Sequence, residues 1–333
     1  MDSKVLAYNY TRSFGVEIEV NSLDRRDFIN YPLKKGHLPL GVDYIGDIIA
    51  KNFNVPVVVN LWHYTNNNAF WVIKPDSSCG IELCSPVSKG KYGLDQICQV
   101  INLISSDSNI SIDKRCSLHV HVNVKDCETI DIAAILAWWI KCEAVFIDSI
   151  PQDRKRSRYC QYIAASDIFD TNFRDYSRLV KYLGSHKYFT ANSFHLLNDE
   201  RKTVEFRILG NEGCNDSDIT RNWIKLLIHF VEMAKKISLP KPWKNNDDYT
   251  RGLLILDPKD VFRFLGFLDY ELSDEMIGIR NWFLRRLKKN IVTDLQGFWS
   301  PASRVRAIQE VDELICELKM DMSITPTLKG RGL

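Results

Sequence analysis

The sequence predicts an α+β fold, in which helices cover the apolar face of an antiparallel β-sheet and further helices follow at the C-terminus. Four short segments alternate apolar and polar residues with the two-residue period of a strand. Longer segments between and after them carry apolar residues at helical spacing. A Pro- and Asn-rich stretch at 238–248 marks the boundary between residues 1–238, with the sheet, and residues 239–333, a helical extension.

The composition is that of an ordinary soluble globular protein, with 45% hydrophobic and 26% charged residues. A formal charge of +2 is too small for general attraction to nucleic acid or membranes, so any phosphate binding must be local. Neither a leader-like apolar segment nor a membrane-spanning run is present, which favours a cytoplasmic location. The nine cysteines form no C-x-x-C pair and are expected to be reduced thiols without a metal.

The first predicted strand, residues 13–21, places two carboxylates on one face. Its apolar positions are Phe14, Val16, Ile18 and Val20. Glu17 and Glu19 therefore point the other way, and Asn21 follows them. Charged residues at alternate positions usually form the solvent-exposed face of a half-buried strand, but paired carboxylates on one face also suit a divalent cation.

The next segment predicts a helix at 43–53 and then a β-hairpin made of residues 57–63 and 69–74. A turn at 75–80 leads into Ile81-Glu82-Leu83, where Glu82 occupies the polar face of a further strand. A helix is expected at 93–104.

The segment 118–124 has the pattern His-x-His. Apolar residues alternate with His119, His121 and Asn123, so both imidazoles share one strand face. A single histidine in such a place is more often structural, but two on one face are a common way to present nitrogen ligands. Mg²⁺ or Mn²⁺ fits better than Zn²⁺, because the other candidate ligands are glutamates.

A core helix is predicted at 128–150, and a basic run follows it at 154–158. Such runs are normally solvated, but Arg158, next to a tyrosine, is the arginine expected to reach a phosphate. A helix at 172–183 comes next.

A strand at 189–196 carries Asn192, which could face the polar side, although its register is open. The strand at 203–209 then puts Glu205 and Arg207 on its polar face, a carboxylate for a cation and a guanidinium for a phosphate. The alternative without a ligand is that Glu205 and Arg207 form an ion pair on a solvent-exposed strand face. Four further helices are expected, at 218–237, 258–267, 273–289 and 302–319.

If the polar faces lie in one sheet, they form a cluster of four carboxylates, two imidazoles and an arginine. Unneutralised carboxylates at close range repel each other, so divalent cations are the natural compensation. In chain order, the sequence contains the motifs FGVEIE from Phe14, WVIKPDSS from Trp71, ELCSP from Glu82, HVHV from His119, Asn192 and TVEFR from Thr203. In residues and order, this set resembles the amidoligase family, which is related to glutamine synthetase and glutamate-cysteine ligase.

The resemblance covers roughly residues 12–230 and implies an ATP-dependent carboxylate–amine ligase on a glutamine-synthetase-like antiparallel sheet. By analogy, the metal ions, Mg²⁺ or alternatively Mn²⁺, would be held by Glu17, Glu19, Glu82, His119 and Glu205. His121 and Arg207 would contact phosphate. Lys74 and Asn192 would join them in binding the nucleotide, while Arg158 and Glu205 would belong to the catalytic set. Asp76 and Ser77 match the acidic turn of the family.

The implied substrates are a carboxylate and an amine, each supplied by an amino acid, a peptide, a protein side chain or a modified base. Two other classes of function stay open on the residues alone. Clustered Glu and His residues with two metals also activate water in hydrolases and phosphoesterases. A non-catalytic binding module could keep the same sheet as a scaffold.

Overall fold

The computed structural model describes residues 5–21, 41–59, 69–163, 176–198, 201–237, 256–291 and 301–320. Within them the fold is mixed α+β, with a mostly antiparallel sheet covered by helices, as the sequence predicts. The strands of this sheet are β1 (Ser13–Asn21), β2 (Val57–Val59), β3 (Trp71–Asp76), β4 (Gly80–Cys84), β5 (Ser88–Lys89), β6 (Leu118–Asn123), β7 (Ala191–Asn192) and β8 (Thr203–Phe206).

The strand order in space is β2-β3-β4-β1-β6-β8-β7, and β5 pairs with the start of β1. β1 therefore lies at the centre, between β4 and β6. Its register places Glu19 opposite Glu82 and Glu17 opposite His119. On the next strand pair, His121 lies opposite Glu205. Because successive side chains alternate in direction, this register gathers the predicted polar residues on one face of four adjacent strands.

The opposite face of the sheet is the core. The longest helices against it are α2 (Gly90–Ser106), α3 (Thr129–Asp148) and α7 (Ser217–Lys236). Trp139 of α3 lies over Phe206 of β8 and Phe230 of α7, with ring centroids 4.8 and 5.4 Å apart. Each of these aromatic pairs adds to the area that the sheet and the helices bury together. The other helices are α1 (Val42–Phe53), α4 (Tyr176–Ser185), α5 (Phe194–Asn198), α6 (Asn211–Asn215), α8 (Pro258–Phe264), α9 (Asp274–Ile291) and α10 (Pro301–Glu317).

The predicted hairpin at 57–74 is wrong, because β2 and β3 pair in parallel, Val57 with Trp71 and Val59 with Ile73. Residues 60–70 separate the two strands. This connection is longer than the two to five residues of a typical hairpin loop, so it does not force the chain to reverse against its neighbour. The turn of the predicted hairpin, residues 64–68, lies outside the described residues.

The predicted strand at 189–196 is also wrong in its second half. Only Ala191 and Asn192 pair with β8, and α5 begins at Phe194. The cause is local: the Asn192 side-chain oxygen accepts a hydrogen bond from the Phe194 backbone N–H at 3.0 Å. This side-chain turn gives the backbone an alternative to the sheet ladder. It also points the following residues in a new direction.

The C-terminal helices pack against the same core as the sheet helices. Phe283 of α9 lies 5.2 Å from Phe146 of α3 and 5.5 Å from Phe262 of α8, measured between ring centroids. The predicted linker at 238–248 lies outside the described residues, and the domain boundary at 238/239 stays a prediction. Among the described helices, none combines the length and apolar character that a membrane span requires.

Phe283 gives a test of whether the C-terminal helices and the sheet unfold together. We expect Phe283→Ala to lower the free energy of unfolding by about 3–5 kcal/mol, because the fully buried ring leaves a cavity between α3, α8 and α9. Urea denaturation followed by tryptophan fluorescence and by circular dichroism should show one shifted transition. Val305→Ala, at a side chain 56% exposed on α10, should change it by less than about 0.5 kcal/mol. Two separate transitions, with only one shifted, would show independent units.

Candidate active site

Glu17, at the middle of β1, is the centre of the polar face. One carboxylate oxygen, Oε2, lies 3.2 Å from Nδ1 of His119, and the other, Oε1, lies 3.2 Å from Nε2 of His121. Nη1 of Arg201, just before β8, is 3.6 Å from the same Oε1. Strand pairing with β6 brings both imidazoles to this one carboxylate.

Glu205 of β8 is the second centre. Its Oε1 lies 3.6 Å from Nδ1 of His119 and forms an ion pair with Arg207. Its Oε2 lies 3.3 Å from Nε2 of His195 and accepts a hydrogen bond from the Asn192 amide at 3.2 Å. Asn192 thus holds the carboxylate in place from the neighbouring strand, and its own oxygen is used in the turn that starts α5.

The hydrogen bonds around His119 fix which ring nitrogen carries the proton in the neutral ring. The Ser117 hydroxyl donates its only hydrogen to Oε2 of Glu19 at 2.6 Å. The contact between Ser117 Oγ and His119 Nε2, at 2.8 Å, must then be donated by the imidazole. Nδ1 is left with a lone pair directed at the carboxylates of Glu17 and Glu205. Three acceptor atoms that face each other require a positive charge between them, which a proton on Nδ1 or a metal ion can supply.

The ligand atoms of Glu17, His119 and Glu205 lie within 4.8 Å of one another, so one ion could bind all three. Glu17, His121 and His195 form a second such group, and Nε2 of His121 is buried without a hydrogen-bond partner. The described residues therefore fit a divalent cation, with oxygen ligands typical of Mg²⁺ or Mn²⁺ and nitrogen ligands that favour Mn²⁺ of the two.

The charges of the site change the pKa values of its carboxyl groups in opposite directions. Burial raises the pKa of Glu17, but the adjacent imidazoles of His121 and His119 outweigh it and hold that pKa well below its usual range. The pKa of Glu205 is also lowered despite burial, mainly by Arg207. Burial and the nearby Glu17 charge raise the pKa of Glu82, although Lys74 lies only 2.8 Å away and opposes this.

A turn between β3 and β4 adds Asp76 to the site. Its Oδ1 accepts hydrogen bonds from the backbone N–H groups of Ser78, at 2.7 Å, and Cys79, at 3.1 Å. Burial raises the pKa of Asp76, but a hydrogen bond from the Ser78 hydroxyl and these two backbone hydrogen bonds outweigh burial and leave the pKa lowered. Burial raises the pKa of the Cys79 thiol, so this cysteine remains a neutral thiol.

These groups line a cavity of about 380 Å³, within the size range of ligand sites. Its carboxylates are Glu17, Glu19, Asp76, Glu82 and Glu205, and its cationic side chains are Lys74, Arg115, Arg154, Lys187, Arg201 and Arg207. Tyr159, Tyr188 and Phe194 supply aromatic surface. The mixture of both charges in one cavity suits a polyanion that binds together with a cation.

Most of the sequence-predicted residues meet at this cavity, whose lining includes Glu17, Glu19, Lys74, Glu82, His119, Glu205 and Arg207. His121 and Asn192 are buried beside it and contact lining residues without being part of the lining.

Arg158 does not lie where the sequence analysis placed it. Its guanidinium is exposed, stacks 4.8 Å from the centre of the Tyr159 ring and is absent from the cavity lining. The basic run instead contributes Arg154, which is buried. The cause is the helical turn at 154–156, which directs the first arginine inward.

Four residues of the site were not predicted from the sequence: Arg154, Ser117, His195 and Arg201. His195 was assigned to a strand, whereas the turn at Asn192 brings its ring onto Glu205. Arg201 lies two residues before β8, and its Nη2 donates to Nδ1 of His195 at 2.6 Å. A polar residue one or two positions before a site strand, Ser117 before β6 and Arg201 before β8, is the signal that could have found two of them.

The family model described as "Putative amidoligase enzyme" matches residues 57–231, just over half of the sequence. The chain belongs to the amidoligase family. The matched range contains Glu82, His119, His121, Glu205 and Arg207, whereas β1 with its two glutamates lies before it.

Among solved structures, this amidoligase is similar to a bifunctional glutathione synthetase from Pasteurella multocida, with a TM-score of 0.40 and 12% sequence identity. The similarity covers 94% of this chain and 50% of the synthetase, so the amidoligase spans about half the length of that protein. No curated protein matches the sequence.

The contacts of the Glu205 carboxylate predict that its substitution weakens metal binding. We expect Glu205→Gln to weaken Mn²⁺ binding at least about tenfold, because an amide removes the negative charge that faces Nδ1 of His119. Titration with Mn²⁺, followed by electron paramagnetic resonance of the free ion, measures the dissociation constant. Glu313→Gln, at a side chain 60% exposed on α10, is the matched control. Equal affinity in both variants and the wild type would exclude Glu205 as a ligand.

Proposed function

We propose that this amidoligase is an ATP-dependent carboxylate–amine ligase that forms an amide or peptide-like bond through an acyl phosphate, on a glutamine-synthetase-like sheet. The observation that carries the proposal is the convergence of Glu17, His119 and Glu205 on one cation position, next to Arg207, inside one cavity. A cation site beside an arginine is the arrangement that phosphoryl transfer from a nucleotide needs.

Glu17, His119 and Glu205 would hold one divalent ion, and Glu19 and Glu82 lie on adjacent strands of the same cavity for a further one. When bound, Mg²⁺ or Mn²⁺ would neutralise phosphate charge and bridge ATP to the protein. His119 is preorganised for this role, because Ser117 fixes its ring and leaves Nδ1 toward the two carboxylates.

Arg207 would contact the transferred phosphoryl group. It sits at the end of β8, where its backbone N–H donates to the Thr190 carbonyl at 2.8 Å, so the position of the guanidinium depends on a paired strand. In the structure the guanidinium pairs with Glu205. Positive charge held in place before the reaction stabilises charge that develops in the transition state without reorganisation.

The acyl phosphate would then be attacked directly by the amine, with phosphate as the leaving group. A covalent protein intermediate is not needed, and the nearby cysteines are poor candidates for one. Burial and neighbouring carboxylates raise the pKa values of Cys79 and Cys84, which keeps both sulfurs protonated. Asp76, whose carboxyl stays ionised, would help to hold the amine substrate together with Ser77.

We propose the substrates by chemical class: a carboxylate and an amine, each from an amino acid, a peptide, a protein side chain or a modified base. The use of ATP favours a cytoplasmic location. Hydroxylamine can replace the unknown amine, because it traps acyl phosphates as hydroxamates. Incubation of the protein with ATP, Mg²⁺, hydroxylamine and a panel of carboxylates should release ADP and form a hydroxamate with some of them.

The result of this assay separates the three functions considered. ADP and hydroxamate formed in equal amounts would support the ligase. Metal-dependent hydrolysis of phosphoesters in the absence of ATP would support a phosphoesterase. Absence of both reactions, with no nucleotide binding by calorimetry, would leave a binding module.

Arg207→Lys tests the proposed contact with the phosphoryl group. We expect turnover in the hydroxylamine assay to fall about a hundredfold with the fold unchanged by circular dichroism, because an ammonium cannot reproduce the planar guanidinium fork. The matched control is Arg263→Lys, which makes the same change in an ion pair with Asp260 where both side chains are about half exposed. Wild-type turnover in Arg207→Lys would remove this residue from the mechanism.

A further inference from the structure

Arg154 is a buried cation at the wall of the cavity. It opens the short helical turn that follows α3, and only 6% of it is exposed. One amino group, Nη2, donates to the backbone carbonyl of Arg207 at 2.7 Å, and Nη1 lies 3.5 Å from the hydroxyl of Ser157. Its aliphatic stem packs on Gly210, where an added methyl group would lie 3.4 Å from three of its carbons. These contacts fix the guanidinium without neutralising it.

Three other cationic side chains of the cavity, on strands of the sheet or next to them, each lie near a carboxylate. Lys74 pairs with Glu82, Arg201 lies near Glu17, and Arg207 pairs with Glu205. Among the described residues, no carboxylate lies within 4 Å of the Arg154 guanidinium. Its Nε is also buried without a hydrogen-bond partner. A buried charge without a counter-charge is unfavourable, so the site is incomplete without an anion.

Contacts of the residues on either side of Arg154 hold its backbone in place. The next residue, Lys155, is buried and its ammonium lies 3.3 Å from Oδ1 of Asp148 at the end of α3. Asp153 accepts a hydrogen bond from the Arg154 backbone N–H. The guanidinium is therefore preorganised by the turn, which lowers the conformational entropy that the protein would lose on binding a ligand.

We propose that Arg154 is an anion-binding residue of this cavity, and that it takes a phosphate or carboxylate group which the carboxylate-paired cations do not hold. Tyr159 and Lys187 also line the cavity and add an aromatic surface and a further positive charge. The anion site itself is independent of the ligase reaction. Its assignment to one of the reactants rests on the proposed function, under which the anion is either a nucleotide phosphate or a carboxylate of the substrate.

Thermal denaturation with inorganic phosphate tests the site without any activity. We expect phosphate to stabilise the wild type, and Arg154→Met to bind it about ten- to hundredfold more weakly, the loss expected for hydrogen bonds to a charged group. Without phosphate, the melting temperature of Arg154→Met should equal or exceed that of the wild type, because the substitution removes a buried unpaired charge. A purely structural arginine would instead give a lower melting temperature and unchanged phosphate affinity.

Two more variants make the result specific. Arg154→Lys keeps the charge and should retain part of the phosphate affinity. Arg115→Met removes another positive charge from the same cavity, but one that is 58% exposed and paired with Asp113, and should retain most of it. Absence of phosphate binding in the wild type, or equal loss in Arg154→Met and Arg115→Met, would overturn the proposal.

The same variants distinguish the source of the anion. Calorimetry with the ATP analogue adenosine 5′-(β,γ-imido)triphosphate and Mg²⁺ measures the affinity for a nucleotide. Calorimetry with succinate measures the affinity for a carboxylate. Loss of affinity in Arg154→Met for the analogue alone assigns Arg154 to the nucleotide, and loss for succinate alone assigns it to the substrate. If phosphate binding depends on Arg154 while the hydroxylamine assay stays negative, the proposed function fails and the anion site stands.

Discussion

Mutual repulsion between buried carboxylates is the constraint on which this structure depends. Strand alternation gives the sheet one apolar face, so the glutamates of β1, β4 and β8 must share the other, and the register brings them into one cavity. Each is offset by a different group: imidazoles at Glu17, a serine at Glu19, an ammonium at Glu82 and a guanidinium at Glu205. The cluster persists only because the strands place these partners in register, and a bound cation would take over part of their role.

The sequence predicted the strands and their polar faces well, because a two-residue period is a local property that survives in any register. Strand direction and the exact ends of helices and strands could not be predicted as well. Nothing in residues 57–74 distinguishes a parallel from an antiparallel pair, and the short β7 ends where one side-chain oxygen, that of Asn192, starts a turn. In the basic run, Arg154 and Arg158 look alike in the sequence. The helical turn directs Arg154 inward, where it packs on Gly210 and donates to the Arg207 carbonyl, in a segment more than fifty residues away.

The C-terminal helices reach the cavity indirectly, and periodicity could not have revealed this, since it shows which helix face is buried but not against what. Asn290 of α9 donates to the carbonyl of Ser149 at 2.8 Å, and Arg304 of α10 lies 3.5 Å from Asp148. Both contacts secure the end of α3, directly before the turn that carries Arg154. The helical extension therefore supports the wall of the site as well as completing the hydrophobic core.

The cavity also has a polarity that bears on the direction in which substrates bind. On the β8 side of β1 lie Arg207 and Arg154, and on the β3–β4 side lie Asp76 and Glu82. Lys74 neutralises Glu82, but hydrogen bonds from the turn keep Asp76 ionised. In the proposed reaction, an anionic phosphate is favoured at the first end and a cationic amine at the second. Bond formation would then take place between them, over Glu17 and His119, where a bound cation would offset the charge that develops.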